Sequence, residues 1–175
     1  MAVVKGYSQD SSYDHGAEVS AFDTSLNMIS LAKEKNNERD IIYTDKTDTG
    51  PIFLQGQYDF VFCSFVLMTM PEQDVESAVK KIYDLLKKKG KVFFINTNTD
   101  TPGIESKEFF SNADPSRLTE GQPYETMIRS HNTELKVQDF FYSPSFLKSL
   151  FEKNGFQVRE ELVIKERYLL HAGEK

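Results

Sequence analysis

The chain has one cysteine, Cys63, in 175 residues, and no tryptophan. A lone thiol excludes an internal disulfide and fits a reducing compartment. No apolar run approaches the roughly 20 residues of a membrane-spanning helix, and no leader-like apolar core follows Met1. An excess of positive charge is also missing, since the formal net charge is -6. Nucleic acids and anionic membranes both need a basic face, so neither is expected as a partner. A soluble, cytoplasmic protein is the expectation. The three histidines are scattered and cannot combine with one thiol into a ligand spacing, so no metal is expected. Internal repeats and low-complexity tracts are absent, and no nucleophile stands beside a readable base.

What is present is an alternation. A chain of this length fits one domain that buries roughly 70% of its unfolded surface. Apolar, β-rich runs occupy residues 17–22 (AEVSAF), 40–43 (DIIY), 58–67 (YDFVFCSFVL) and 91–96 (KVFFIN). The last two are almost continuously apolar, as strands covered on both faces are. Helical patterns lie between and after them. From Ser25, Leu26, Ile29 and Ala32 form one stripe, widened by Met28 and Leu31, with Asp23 or Thr24 available as cap. In PEQDVESAVKKIYDLLKKKGK, Pro71 suits the first turn, and Val75, Val79, Ile82 and Leu86 form the buried stripe. Lysines 87–89 then complement the negative helix end and Gly90 stops it. In SPSFLKSLFEKNGF, Ser143 caps, Pro144 opens, Phe146, Leu147, Leu150 and Phe151 turn inward, and Gly155 stops.

Residues 157–164 and 167–172 read as two strands joined too tightly for a crossover, hence antiparallel. The expected fold class is α/β, a three-layer, mostly parallel sheet ending in an antiparallel hairpin. Residues 97–142 break the rhythm with Pro, Gly, Asn and Asp among aromatics. A connection this long reads as a lid or substrate-side insertion in a single domain, residues 1–175, or as disorder. Within it, residues 134–142 are a candidate strand.

The segments GAEVSAFDTSLNMISLAKEK, DIIYTDKTD, YDFVFCSFVLMTM, LLKKKGKVFFINTN and FLKSLFEKNGFQV, in this order, resemble class I S-adenosylmethionine-dependent methyltransferases of the small-molecule type. The resemblance covers about residues 6–173. It implies a Rossmann-like sheet with a reversed last strand, S-adenosylmethionine as cofactor and a small-molecule methyl acceptor as partner. It also implies roles for named residues. Asp23 would hold the ribose hydroxyls, with Thr24 beside it, and Met28 would pack on adenine. Asp45 would take the adenine amino group, shielded by Lys46. Cys63, Ser64 and Phe65 would pass beneath the methionine part. Each has a plainer alternative: a helix cap for Asp23, core for Met28 and Cys63, a turn for Asp45. Met68 and Thr69 stand where many relatives carry His or another polar residue.

The front departs from the family pattern. Counting back from Asp23, Gly6 falls on the last glycine of the expected G-x-G-x-G turn, while Val4 and Ala2 occupy the other two glycine positions. Such glycines let backbone approach a ligand at a helix N-terminus. Residues 8–15, SQDSSYDH, make a poor amphipathic helix. The motif is therefore expected to be truncated or degenerate, with the first strand short or missing. A missing central strand exposes two rows of unpaired backbone groups. Residues 2–5 supply a short replacement, or the neighbouring strands close up, or a partner chain fills the gap, with a homodimer as an alternative.

Methyl transfer needs chiefly positioning. Where an acceptor needs a base, the candidates are His131, Tyr124 and Tyr142. The expected activity is methyl transfer to a small molecule. The alternative is a non-catalytic methyltransferase-like binding or regulatory protein, its cofactor volume filled by Val3, Val4 or Tyr7.

Overall fold

The computed structural model describes residues 2–4, 18–36, 41–44, 55–99, 109–111, 113–130, 133–164 and 168–175. They form a seven-stranded sheet in the order β3-β2-β1-β4-β5-β10-β9, and a separate three-stranded sheet in the order β6-β7-β8. The strands of the large sheet are β1 (Ala2–Val4), β2 (Val19–Phe22), β3 (Ile41–Thr44), β4 (Tyr58–Ser64), β5 (Leu86–Thr97), β9 (Gln157–Ile164) and β10 (Tyr168–Glu174). Those of the small sheet are β6 (Phe109–Ser111), β7 (Pro123–Ser130) and β8 (Thr133–Phe140). Three helices accompany them: α1 (Leu26–Lys35), α2 (Glu72–Leu85) and α3 (Pro144–Lys153). The arrangement is the expected Rossmann-like α/β class, with β4 and β5 parallel and β10 reversed against both β5 and β9.

The main core lies where β4 and β5 meet α2 and α3. Val61, Cys63 and Phe94 face Val75, Val79, Ile82, Leu147 and Phe151 there, and the rings of Phe94 and Phe151 stack at 4.1 Å. The alternation along β5, with Val92, Phe94 and Asn96 buried, keeps one side of the strand turned to this core. A smaller cluster of Val19, Ile41 and Phe60 forms separately. In α3 the sequence signals act as read. The Ser143 hydroxyl accepts from the Phe146 amide at 3.1 Å, and Gly155 takes φ +96° with the Tyr83 ring where a Cβ would stand.

Two helices differ from expectation. α2 ends at Leu85 instead of running to Gly90, because Leu86 turns extended and pairs with Tyr58. Residues 87–89 belong to β5, Lys87 bonds Asp59 at 2.8 Å, and Gly90 sits 3.1 Å from the Tyr58 carbonyl measured from an added Cβ. The carbonyls of Tyr83, in the last turn, and of Leu86, the residue after it, both accept from Lys175 Nζ, at 2.7 and 2.9 Å. In α1 the cap is Ser25, not Asp23 or Thr24. Only Ile29 of the apolar stripe is buried, while Leu26, Met28 and Leu31 stay exposed.

The gap at the front is filled by the chain itself. β1 lies between β2 and β4, as a short replacement strand should, but it is antiparallel to both. Ala2 stands opposite Ala21 and Phe62, and Val4 opposite Val19 and Phe60. The strand thus enters at the rim where β2 and β4 end and leaves at the opposite rim. Paired Cα atoms in such a ladder lie about 4.5–5.5 Å apart, within reach of a disulfide. The double variant Ala2→Cys/Ala21→Cys should therefore cross-link under mild oxidation, whereas Ala2→Cys/Val19→Cys should not. Peptide mapping of the oxidised proteins decides it, and cross-linking of the second pair alone would show that β1 runs the other way.

Candidate functional site

The carboxyl ends of β2, β3, β4 and β5 gather on one rim of the large sheet, the side on which open α/β sheets bind ligands. Asp23, half-buried, follows β2 there. Its amide donates to the Thr44 carbonyl at 3.3 Å, tying it to the end of β3. Its Oδ1 accepts from the Ser25 amide at 2.8 Å. This local turn holds the carboxylate at the start of α1 while the Ser25 hydroxyl caps the helix. Asp23 is therefore an anchored carboxylate on the rim rather than the cap itself. Thr24 and Met28 beside it are exposed, Met28 by 53%.

Cys63 is packed in the main core, and burial pushes its thiol up to about 12, so it is an inert core residue. Ser64 is half-buried at the end of β4. Phe65 adopts φ +53°, a left-handed conformation that costs a side-chain-bearing residue roughly 1–2 kcal/mol. Its amide donates to the Ile95 carbonyl at 2.8 Å, and its ring is 42% exposed, set edge-on to Tyr168 at 5.3 Å. The strained bend turns the chain sharply out of β4 at the rim. Gly6, Asp45, Lys46 and His131 lie outside the described residues. Because β1 leaves at the opposite rim, the described residues bring no glycine turn to this one.

Beyond β5 the small sheet builds a second feature. A narrow pocket of about 10 Å³, room for about one water, is lined by Met68, Asn96, Thr97, Thr99, Tyr124, Phe140, Tyr142 and Leu147. The Thr97 hydroxyl donates to Met68 Sδ at 3.3 Å, and the Thr99 hydroxyl to the Tyr142 carbonyl at 3.0 Å. The Tyr142 hydroxyl donates to the Met70 carbonyl at 2.8 Å. Glu120 accepts from both the amide and the hydroxyl of Ser143, fastening the approach to β7 onto the start of α3. So Tyr124 and Tyr142 come together, separated in sequence but joined by the β7–β8 pairing and the turn into α3.

Neither phenol is suited to take a proton at neutral pH. Tyr142 is pushed up to about 12, first by burial and then by Glu72, Glu120 and Asp74. Tyr124 is raised to about 12 by burial and by Asp139, its cross-strand partner. Asp139 is itself buried, and its carboxyl lies above the usual carboxylate range because of that burial, opposed by a hydrogen bond with Thr126. The sequence reading did not find Asn96, Thr97, Thr126 or Asp139 as site residues. The one available signal was the polar run NTNTDT directly after an apolar strand.

The family model described as a methyltransferase domain matches residues 6–161. The chain is 27% identical over 146 residues to N-demethylindolmycin N-methyltransferase from Streptomyces griseus, over 81% of this chain. It spans 61% of the length of that curated relative. Among solved structures, the CcbJ methyltransferase from Streptomyces caelestis superposes with TM-score 0.68 at 15% identity, over 92% of this chain and 80% of that one. The 1,6-didemethyltoxoflavin-N1-methyltransferase from Burkholderia thailandensis, solved with 1,6-didemethyltoxoflavin and S-adenosylhomocysteine, gives 0.58 at 11%, over 93% of this chain and 63% of that one. At such identities these two likenesses concern the fold.

A carboxyl raised in the folded state binds its proton there more tightly than in the unfolded chain. It therefore takes stability away as pH rises from the unfolded value toward the folded one. Asp139→Asn, which can still accept from Thr126, should melt at a higher temperature than the parent at pH 7. The gain should shrink toward zero near pH 3.5, where the parent is protonated in both states. Thermal melts at the two pH values check this.

Proposed function

The chain belongs to the methyltransferase-domain family, and on that premise we propose that it transfers a methyl group from S-adenosylmethionine to a small-molecule acceptor. The observation that carries the reading is Asp23. Its carboxylate is half-buried on the ligand rim and fixed through Oδ1 by the Ser25 amide. Its other oxygen is left to accept from a ribose diol. That acceptor fits the hydroxyls of the cofactor's ribose. Thr24 and the exposed Met28 flank the place for the adenine, and the bend at Ser64 and Phe65 offers backbone carbonyls to the amino-acid part. Asp45 and Lys46 keep the roles that the resemblance implies.

Bound S-adenosylmethionine supplies a methyl carbon already activated by its sulfonium. The protein's share is then to hold the acceptor in line and keep water out, the kind of task in which orientation contributes most of the acceleration. Tyr124 acts as a neutral wall and donor at the acceptor end, and Tyr142, whose hydroxyl is given to the Met70 carbonyl, as a neutral wall. The insertion at residues 97–142 covers the acceptor side, with the small sheet built from it, and the protein works in the cytoplasm. No described helix is long and apolar enough to cross a membrane. A single domain with the insertion built into it, alone or as a homodimer, completes the reading.

A second reading is favoured by one observation, the reversal of β1. Where no glycine turn reaches the ligand rim, as among the described residues, cofactor affinity falls, and a binding or regulatory role without catalysis follows if it falls far enough. Titration calorimetry with S-adenosylhomocysteine separates the two. We expect binding weaker than about 10 μM. Asp23→Asn, which retains the turn to Ser25, should weaken it about tenfold or more, as the loss of a charge-assisted hydrogen bond implies. No binding at millimolar ligand would leave the non-catalytic reading standing; an unchanged constant in the variant would remove Asp23 from the site.

A further inference from the structure

The narrow pocket at the end of β5 holds one polar side chain that the protein itself leaves unanswered. Asn96 sits on the core-facing side of β5, after Val92 and Phe94, and is only 3% exposed. No atom of the described residues accepts from its buried amide nitrogen. A buried donor left unmade is costly, and native proteins nearly always meet it with protein or with ordered water. The space beside it measures about 10 Å³, close to the roughly 10–15 Å³ that one water requires. Two hydroxyls on the same lining are spent as donors and open as acceptors. Thr97 gives its hydrogen to Met68 Sδ at 3.3 Å, and Thr99 gives its own to the Tyr142 carbonyl at 3.0 Å. A hydroxyl oxygen keeps lone pairs after it has donated.

We propose that this pocket is a binding site for a single ordered water, which accepts from Asn96 Nδ2 and donates to the hydroxyl oxygens of Thr97 and Thr99. One acceptance and two donations make about three bonds, the usual complement of a buried water. The lining selects water by chemistry as well as by size. An anion would need donors, and both threonine hydrogens are committed elsewhere. A metal ion needs oxygen lone pairs around it, and the Asn96 N–H would point its hydrogen at the charge. An apolar occupant would leave the amide unmet. With the water bound, an amide can stand in the core at the end of β5 without penalty. The water fills the joint between that strand end and the small sheet, whose Tyr124 and Phe140 line the same space. The site is independent of the methyl-transfer reading, since none of its bonds involves cofactor or acceptor.

A crystal structure of the full chain should show one solvent peak about 2.7–3.2 Å from Asn96 Nδ2 and within hydrogen-bond reach of both threonine oxygens. In solution, oxygen-17 relaxation dispersion should count one fewer long-lived water in Asn96→Leu than in the parent. The melting temperature separates a filled pocket from a dry one. In a filled pocket leucine removes a satisfied donor and leaves the two threonine oxygens without their water, so the variant melts about 2–4 °C lower. In a dry pocket leucine removes an unmet donor, and the variant melts no lower than the parent. The parent crystal decides alone should the variant fail to fold. Four results overturn the proposal: no peak at Asn96, a peak with the roughly 2.0–2.6 Å contacts of a metal ion, an unchanged water count in the variant, or a variant that melts as high as the parent.

Discussion

Three residues, Ala2–Val4, join the two parts of the large sheet. β2 and β3 pair with each other, and β4, β5, β10 and β9 form a continuous ladder, but the only described strand that bonds to both groups is β1. Everything at the ligand rim depends on that seam. Asp23 belongs to the β2–β3 side and Ser64 with Phe65 to the β4–β5 side, so their relative placement is set through β1. A central strand lacking pairs on either side would expose backbone donors and acceptors at the middle of the sheet. Running the strand backwards still satisfies both rows, because antiparallel ladders make full use of the same groups.

The site has two ends with different chemistry. At the β2 end a fixed carboxylate and exposed side chains face outward. At the β5 end a narrow pocket carries tyrosines, an unmet amide and nearby acidic groups. The strained Phe65 bend lies between the strands that supply them, and a left-handed non-glycine residue at such a rim is the kind of local strain that clusters at functional sites. The small sheet is fastened at one side by the bonds between Glu120 and Ser143, so the cap of α3 and the wall of the pocket share one hydroxyl.

Much of the frame was legible because its signals are local or periodic. The apolar runs around Val61 and Phe94, the Ser143–Pro144 opening of α3 and the short tail connection each pointed to one element. The position of Asp23 just after a strand was legible too. Strand direction was not: AVV reads as a strand, yet nothing in three residues says which way it runs. The end of α2 was missed because the lysines after Leu86 satisfy a helix end as well as they satisfy a strand, and the residue that closes the helix, Lys175, is far away in sequence. The pocket was missed for a similar reason. Asn96 looks like the polar end of a strand, and its burial comes from Tyr142, Leu147 and the small sheet.

The reversal of β1 also changes how the chain can be wound. Two parallel neighbours need a connection that travels the length of the sheet, usually as a helix, whereas antiparallel neighbours are joined at the same rim. β1 ends beside the start of β2, so no crossover along the sheet is needed between them. The order of assembly follows. The aromatic-rich half around Phe94 and Phe151 holds most of the buried side chains and can form as a unit. Among the described strands, the thinner half is hydrogen-bonded to it through β1, in a pairing that links Ala2 to Phe62. Amide protection should then step down across that seam, from β4 and β5 to β2 and β3.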